Sequence, residues 1–288
     1  MDGSALDSVL SILPAVNVPC ADDGVKFTSK DRIEVIDSLL RSSGYRPLFS
    51  GSLSLVWGQT GFIPDFPTIL LSCHVDSVYH KYFHIDVGDE ILGTLDNSIC
   101  NAVLVDLMLR SALPANVVVA FTGDEEDQSR GVDETMQFLT GTAVIPDMVV
   151  VMDVTDQGYA DYAFTVENLF CKMDSAENPS LSNKAIMRLE SLVRSVLGPD
   201  TLVITEAAAD ESWQYDEWNV NCLSLCIPTR PLNSDKQLDV HGWMHSDNGI
   251  LVKKSSIPAY SKAVSILCSG IRDMANGVRN NRYSRRAL

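Results

Sequence analysis

The chain alternates between short, uninterrupted apolar runs and longer segments in which apolar residues recur at helical spacing. The uninterrupted runs are rich in β-branched residues, which is typical of strands buried on both faces. They predict strands at Ser52–Trp57, Thr68–Cys73, Val117–Phe121, Asp147–Met152, Leu202–Thr205 and Val220–Ile227. The helical spacing predicts helices at Ile33–Leu40, Ile99–Leu109, Asp133–Leu139, Ser182–Gly198 and from Pro258 onward. The alternation indicates an α/β protein, a three-layer sandwich with a central mixed, partly parallel β-sheet flanked by helices.

Some stretches carry no clear periodicity and are predicted to be irregular. Pro14 interrupts the short apolar segment Val9–Val16. The residues before Leu95 form a loop rich in Tyr, His and Asp, and Asp210–Trp218 is polar and aromatic. No internal repeat, low-complexity linker or break in composition divides the chain, so we expect a single domain over residues 1–288.

Composition and net charge indicate which class of protein this chain belongs to and which kinds of binding partner its charge disfavours. Of the 288 residues, 45% are hydrophobic and 21% charged, as in globular proteins with a large core. The net charge of −16 argues against nucleic acid or an anionic membrane surface as a partner. The N-terminal sequence lacks the basic and apolar parts of a signal peptide, and no stretch is long enough to span a bilayer. Seven irregularly spaced cysteines indicate reduced thiols, so a cytoplasmic location is expected.

Three consecutive acids follow the apolar run Val117–Phe121, and they are Asp124, Glu125 and Glu126. Adjacent acids beside a buried strand are costly unless a cation compensates them, and Arg130 alone cannot balance three. A divalent metal ion could do so. A solvated acidic loop is the alternative, since charge runs usually face water.

Two other predicted strands are also followed by polar residues that could bind a metal. His74 follows Cys73, and Asp153 follows Met152, just as Glu126 follows the strand described above. If the three strands are parallel neighbours, their carboxyl ends bring these side chains to a common centre. Singly, such a histidine is more often structural and such an aspartate a turn residue. The repetition at one sheet edge makes the metal-site hypothesis stronger than the structural one.

Zinc prefers imidazole nitrogen and carboxylate oxygen, and two neighbouring ions need a bridging group. Asp96, which leads into a helix, is placed to bridge, and Asp76 could accept the second N–H of the His74 imidazole. One of the tandem glutamates would bind metal while the other accepts a proton from water. The histidines near the C-terminus, His241 and His245, could complete the second ion's ligands.

The ordered motifs resemble those of the co-catalytic di-zinc exopeptidase clan. They are HVD at 74–76, TLDNS at 94–98, GDEE at 123–126, VVMDVT at 150–155, and IPTR followed by MHS at 244–246. Their separations are 22 (74 to 96), 30 (96 to 126), 27 (126 to 153) and 92 (153 to 245). The clan includes zinc aminopeptidases, carboxypeptidases and deacetylases that share a phosphorylase/hydrolase-like fold.

The resemblance implies a role for each motif position. One zinc ion would be held by His74 and Asp153, the other by Glu126 and His245, and Asp96 would bridge them. It also implies that Glu125 is the general base and that Asp76 orients His74. Two divalent ions are therefore expected, zinc or alternatively cobalt or manganese.

Two features depart from the clan's pattern. Extra residues between IPTR and the last histidine leave His241 as a competitor of His245, which is preferred because Ser246 follows it as in the clan. The clan usually shows an acid three residues after this histidine, where this chain has Asn248.

The spacing favours one branch of the clan. The 22 positions from His74 to Asp96 leave no room for an inserted domain, and the 92 from Asp153 to His245 leave none for a lid. The resemblance thus implies a single metallopeptidase-like catalytic domain, closest to the lid-less aminopeptidases, that acts on the N-terminal residue of short peptides. Alternatives are a dipeptidase, a carboxypeptidase or an N-acyl amino acid amidohydrolase with the same metal pair, or a non-catalytic binding domain. An aminopeptidase also needs an acid for the substrate's α-ammonium group, and the candidates are Asp156, Asp210 and Glu211.

Overall fold

The computed structural model describes residues 3–19, 30–58, 68–171, 179–232 and 245–286, and within them it contains eleven strands and seven helices. The strands are β1 (Pro47–Ser50), β2 (Ser54–Gly58), β3 (Ile69–His74), β4 (His84–Val87), β5 (Glu90–Gly93), β6 (Val117–Thr122), β7 (Met148–Thr155), β8 (Thr165–Phe170), β9 (Leu202–Ile204), β10 (Cys222–Pro231) and β11 (Ile250–Lys253). The helices are α1 (Gly3–Val16), α2 (Lys30–Ser42), α3 (Ser98–Leu109), α4 (Arg130–Gly141), α5 (Pro179–Leu197), α6 (Glu211–Glu217) and α7 (Ser256–Arg286).

All eleven strands belong to one mixed sheet. Its main path runs β1-β2-β6-β3-β7-β10-β11-β5-β4, while β8 pairs with β10 and carries β9 at its other side. The four central strands β6, β3, β7 and β10 are parallel, and their neighbours β2, β8 and β11 are antiparallel to them. The predicted fold class is confirmed: the sheet is mixed and partly parallel, with helices on both sides.

The central strands are buried on both faces, which explains their uninterrupted apolar sequences. Alternate residues point to opposite sides, so Leu71 and Val119 pack in a large cluster with α1, α2, α3 and α7, whereas Leu70 and Val118 pack with α4 and α6. The two clusters form the interfaces between the sheet and its two helical layers. Among the described helices, none combines the length and apolar character that a membrane crossing requires.

Several elements differ from the sequence-based expectation. The segment around Pro14 is a continuous helix, α1, with the proline in its last turn, where a single backbone hydrogen bond is lost. The polar stretch after Asp210 is a helix, α6, and the Tyr/His-rich loop contains the hairpin β4–β5. Strand β7 continues past Met152 to Thr155 because β10 pairs with it along that length.

Candidate metal centre

Parallel strands β3 and β7 deliver the first two predicted ligands to one edge of the sheet. His74 is the last residue of β3 and lies opposite Thr122 of β6. Asp153 lies near the end of β7, opposite Cys226 of β10. Both residues are almost fully buried, at 2% and 7% exposure. The shared strand direction therefore brings residues that are distant in sequence to a common centre.

The start of α3 delivers Asp96 to the same edge. The Asp96–Asn97 peptide bond is cis. Asn97 precedes the first turn of α3, and its side-chain amide donates to the carbonyl of Met152 at 2.8 Å. One turn later, the Asn101 amide donates to the carbonyl of His74 at 2.9 Å. These two bonds tie the beginning of α3 to β7 and β3, and so fix Asp96 beside His74.

The predicted ligands form two groups that share Asp96. The His74 Nε2 atom lies 3.2 Å from Asp96 Oδ1 and 3.5 Å from Asp153 Oδ1. The His245 Nε2 atom lies 3.2 Å from Asp96 Oδ2 and 3.4 Å from Glu126 Oε2. Each carboxylate oxygen of Asp96 thus faces a different imidazole. His241 lies outside the described residues, and His245 is the late histidine that the structure places in this cluster.

The arrangement fits a pair of divalent ions. Two ligand atoms about 2 Å from one tetrahedral ion are about 3.3 Å apart, close to the four contacts just described. Within the described part of the chain, the buried atom Glu126 Oε1 accepts no hydrogen bond. Buried carboxylate oxygens without donors are costly unless a cation compensates them. The donor set and its spacing therefore suit metal ions such as zinc.

Asp76 contacts both groups of ligands. Its Oδ1 atom lies 3.5 Å from His74 Nδ1, the imidazole nitrogen that faces away from Asp96. Its Oδ2 atom accepts a hydrogen bond from the backbone N–H of Glu126 at 3.1 Å. Asp76 therefore orients an imidazole in one group and the peptide that carries a carboxylate in the other. The sequence predicted only the first of these contacts.

The electrostatics of the cluster follow from burial and close opposite charges. Burial alone would lower the pKa of His74, but Asp153 and Glu125 outweigh it and raise that pKa well above its usual value. Burial alone would raise the pKa of Asp96, but His245 and His74 hold it below its usual range. Burial raises the pKa of Glu126 to about 8 and that of Asp153 to about 6. Without a metal, the cluster therefore holds protons that metal binding would displace.

The cluster opens into a cavity of about 780 Å³ whose wall is strongly acidic. In addition to the candidate ligands and Glu125, the wall contains Asp127, Asp156, Glu167, Asp210 and Glu217. No lysine or arginine lines the cavity among the residues that the structure describes. This wall is suited to a cationic group and would repel a carboxylate.

Of the three acids proposed for an α-ammonium group, Asp156 and Asp210 line the cavity and Glu211 does not. Asp210 caps α6 by accepting from the Ser212 N–H at 2.8 Å, so it is ordered rather than part of a solvated loop. Glu211 is fully buried and accepts a hydrogen bond from Ser72.

Sequence reasoning missed two residues beside the cluster. Glu167 lies on β8, only 4% exposed, and accepts a 2.6 Å hydrogen bond from Thr165. The sequence did offer a signal for Glu167, because an acid within the apolar run TVENLF is unusual in a buried strand. Tyr79 packs edge-on against the His245 ring, with ring centroids 6.4 Å apart. Near the position where the clan shows an acid, Asp247 accepts from the backbone N–H of His80 at 2.9 Å.

Comparisons with known proteins agree on the fold. No protein-family model matches the chain, and no curated protein matches its sequence. Aminopeptidase PepT from Bacillus cereus superposes with a TM-score of 0.63 and 8% identity, over 92% of this chain and 98% of that chain. A tripeptidase from Staphylococcus aureus gives a TM-score of 0.61 and 10% identity, over 93% and 99%.

A third similar structure, from Thermotoga maritima, is described as an endoglucanase. Its TM-score is 0.56 with 12% identity, over 92% of this chain and 99% of that chain. A shared fold at such low identity does not decide the reaction, which must be argued from the site. The comparisons confirm the expected architecture: the chain shares its fold with these solved aminopeptidase and tripeptidase structures.

Proposed function

We propose that this protein is a metal-dependent aminopeptidase that uses two divalent ions, zinc in the first instance and alternatively cobalt or manganese. The observation that carries the proposal is the position of Asp96 between two imidazoles, with one carboxylate oxygen toward each. An isolated ion site would not need a carboxylate shared in this way. A buried, shared carboxylate with a histidine on either side suits a co-catalytic pair.

The proposed roles follow the two groups. His74 and Asp153 would hold one ion, Glu126 and His245 the other, and Asp96 both. When bound, such ions polarise a scissile carbonyl and make a water molecule more acidic. Glu125 lies beside His74 without belonging to either group that shares Asp96, and burial raises its pKa well above the usual value. A carboxylate of raised pKa is a suitable proton acceptor at neutral pH, so Glu125 would take the proton and pass it to the leaving amine.

The charge of the cavity favours a free amino terminus in the substrate. Carboxypeptidase action requires a cation to hold the terminal carboxylate, and no lysine or arginine lines the cavity in the described part of the chain. The acids Asp156, Glu167 and Asp210 would instead attract an α-ammonium group. An acylated amino acid would lack this charge. We therefore place short peptides with free N-termini ahead of blocked amides as substrates.

The path of the chain is in keeping with a catalytic domain that has no internal lid. The residues between His74 and Asp96 form the hairpin β4–β5, which extends the sheet through β11. Between Asp153 and His245, the described residues form β8, β9 and β10 of the sheet and the helices α5 and α6. These segments thus build the core itself.

Metal analysis and a substrate panel test the proposal together. The purified protein should bind about two equivalents of Zn²⁺. It should then release the first residue of unblocked peptides faster than it cleaves N-acetylated peptides, N-acyl amino acids or a cello-oligosaccharide. Two bound ions with preferred cleavage of N-acyl amino acids would favour the amidohydrolase alternative. No bound metal and no turnover would favour a non-catalytic binding domain.

A further inference from the structure

Asp124, the first of the three consecutive acids, is not in any described group of potential metal ligands, although it adjoins Glu125 and Glu126. We propose that Asp124 and Arg130 are positioning residues that hold the tandem glutamates in place for metal binding. The proposal rests on the proposed function, because it assigns Glu126 to a metal ion and Glu125 to proton transfer.

The two side chains form a two-pronged ion pair. Arg130 Nε donates to Asp124 Oδ2 at 2.6 Å, and Arg130 Nη2 donates to Asp124 Oδ1 at 2.7 Å. Both carboxylate oxygens of Asp124 thus accept hydrogen bonds from the guanidinium. This bidentate geometry fixes the orientation of the two side chains as well as the distance between them. The Asp124 side chain is 6% exposed and that of Arg130 44%, so a buried carboxylate is paired with a guanidinium that reaches the surface.

The backbone of Asp124 organises the turn that carries the glutamates. Its φ angle is 68°, in the left-handed region that aspartate tolerates better than most residues. In this conformation its carbonyl accepts hydrogen bonds from the N–H groups of Gln128 and Ser129, at 3.0 and 2.5 Å. Glycine would relieve the backbone strain but could not bind Arg130. The need for both a left-handed conformation and a carboxylate explains an aspartate at this position.

The turn is fixed at two further points. Gly131, directly after Arg130, donates its N–H to the Gly123 carbonyl at 3.0 Å, which anchors the start of α4 against the end of β6. On the opposite side, the Glu126 N–H donates to Asp76. Glu125 and Glu126 therefore lie on a short span held by Asp124–Arg130 at one end and by Asp76 at the other.

The ion pair also compensates the charge of one of the three consecutive acids. Arg130 neutralises the charge of Asp124. The two acids of the run that keep their charge unpaired by Arg130 are Glu125 and Glu126, which belong to the groups of potential metal ligands. Without Arg130, Asp124 would be a buried, uncompensated carboxylate beside two others. It would then be driven toward water or toward the ions, and either movement would displace Glu126.

The test uses the full-length protein and Zn²⁺ as the probe. Arg130→Met should weaken the binding of at least one of the two Zn²⁺ equivalents about 10- to 100-fold in a chelator competition, as for other groups that orient metal ligands. Arg130→Lys should recover part of the loss, because lysine keeps the charge but not the two-pronged geometry. Arg41→Met is the matched control, since it removes a comparable ion pair, with Asp37, on the surface of α2. It should change Zn²⁺ binding by less than about twofold.

A second readout needs no metal. In chelator-treated protein, the amides of residues 125–129 should exchange hydrogen about tenfold faster in Arg130→Met than in the parent, because the turn opens more often. Asp124→Asn, which keeps the side-chain shape, should act in the same direction if Arg130→Met folds poorly. Unchanged Zn²⁺ affinity or unchanged exchange in a folded variant overturns the positioning role. A parent protein that binds no Zn²⁺ overturns the proposed function instead, while the exchange comparison still decides whether the pair orders the turn.

Discussion

Asp96 lies between the imidazoles of His74 and His245, and its carboxylate is the one group that the two sets of potential ligands share. A shared ligand couples the two ions, since removing it takes one donor from each. The negative charge of the Asp96 carboxylate also separates the two imidazoles. The site should therefore fail as a unit when this residue is lost.

Asp96→Ala should weaken both Zn²⁺ equivalents by at least about 100-fold, because losing a ligand costs at least as much as losing a group that orients one. Asp156→Ala is a matched control, since Asp156 lines the same cavity but belongs to none of the potential ligand groups among the described residues. Chelator competition followed by elemental analysis measures both variants. Loss of only one ion in Asp96→Ala would contradict the bridging role.

Glu125 should be needed for turnover and not for metal binding. Glu125→Gln keeps the size of the side chain but cannot accept a proton, so the rate should fall about 100- to 10,000-fold with about two ions still bound. Peptidase assays and elemental analysis on the same preparation separate the two effects. If the variant turns over at the parental rate, Glu125 is not the base.

At the level of elements, the close approach of α4 to the end of β6 limits what position 131 can hold. A Cβ atom on Gly131 would lie 2.5 Å from both the N and the O atoms of Gly123, which are backbone atoms that cannot move aside cheaply. Gly141, at the other end of α4, has no neighbour within 4 Å of such an atom. The two glycines of one helix thus form a matched pair.

Gly131→Ala should lower the free energy of unfolding by about 1–3 kcal/mol, as overpacking does. It should also weaken Zn²⁺ binding, because α4 begins at Arg130, which holds the turn of the tandem glutamates. Gly141→Ala should leave stability unchanged or raise it by up to about 1 kcal/mol, since alanine is the better helix former. Urea unfolding decides the comparison, and equal effects at both positions would contradict the packing argument.

Among the strands, those buried on both faces have the clearest sequence signal. Strands β3 and β6 have no exposed residue, so their sequences are uninterrupted apolar runs. The hairpin strand β4 has three exposed positions out of four, and its sequence predicts a loop, because its order comes from pairing with β5. Helix α6 is only seven residues long, too short for periodicity to stand out.

The clustering of the candidate ligands could be predicted for a related reason. His74 and Asp153 stand where apolar runs give way to polar residues, and parallel pairing brings such positions together. Glu167 could not be placed in this way, because it reaches the cavity from β8, whose antiparallel pairing with β10 is not visible in the sequence. The contact between Asp76 and the Glu126 N–H likewise depends on a turn that only the fold positions.

At the scale of the whole molecule, acids gathered at the centre of the sheet edge make the metal-free protein sensitive to pH. Burial raises the pKa of Glu126 to about 8, of Glu211 to about 7 and of Asp153 to about 6. These values exceed those of the same carboxyls in an unfolded chain, so near neutral pH the folded state keeps protons that the unfolded state has lost. Stability therefore falls as pH rises through this range.

Metal-free protein should accordingly be less stable at about pH 8 than at about pH 5.5, whereas Zn²⁺-loaded protein should lose less stability over this interval, because metal binding stabilises the ionised ligands. The difference in unfolding free energy between the two forms should widen over that interval in urea titrations. Increasing repulsion among the acids of the whole chain would also lower stability with pH, so a local control is needed. Glu211→Gln, which can still accept the Ser72 hydrogen bond, should reduce the loss in the metal-free protein, while Glu217→Gln on the exposed end of the same helix should not. If the two variants behave alike, the loss comes from overall charge rather than from the buried acids at this edge.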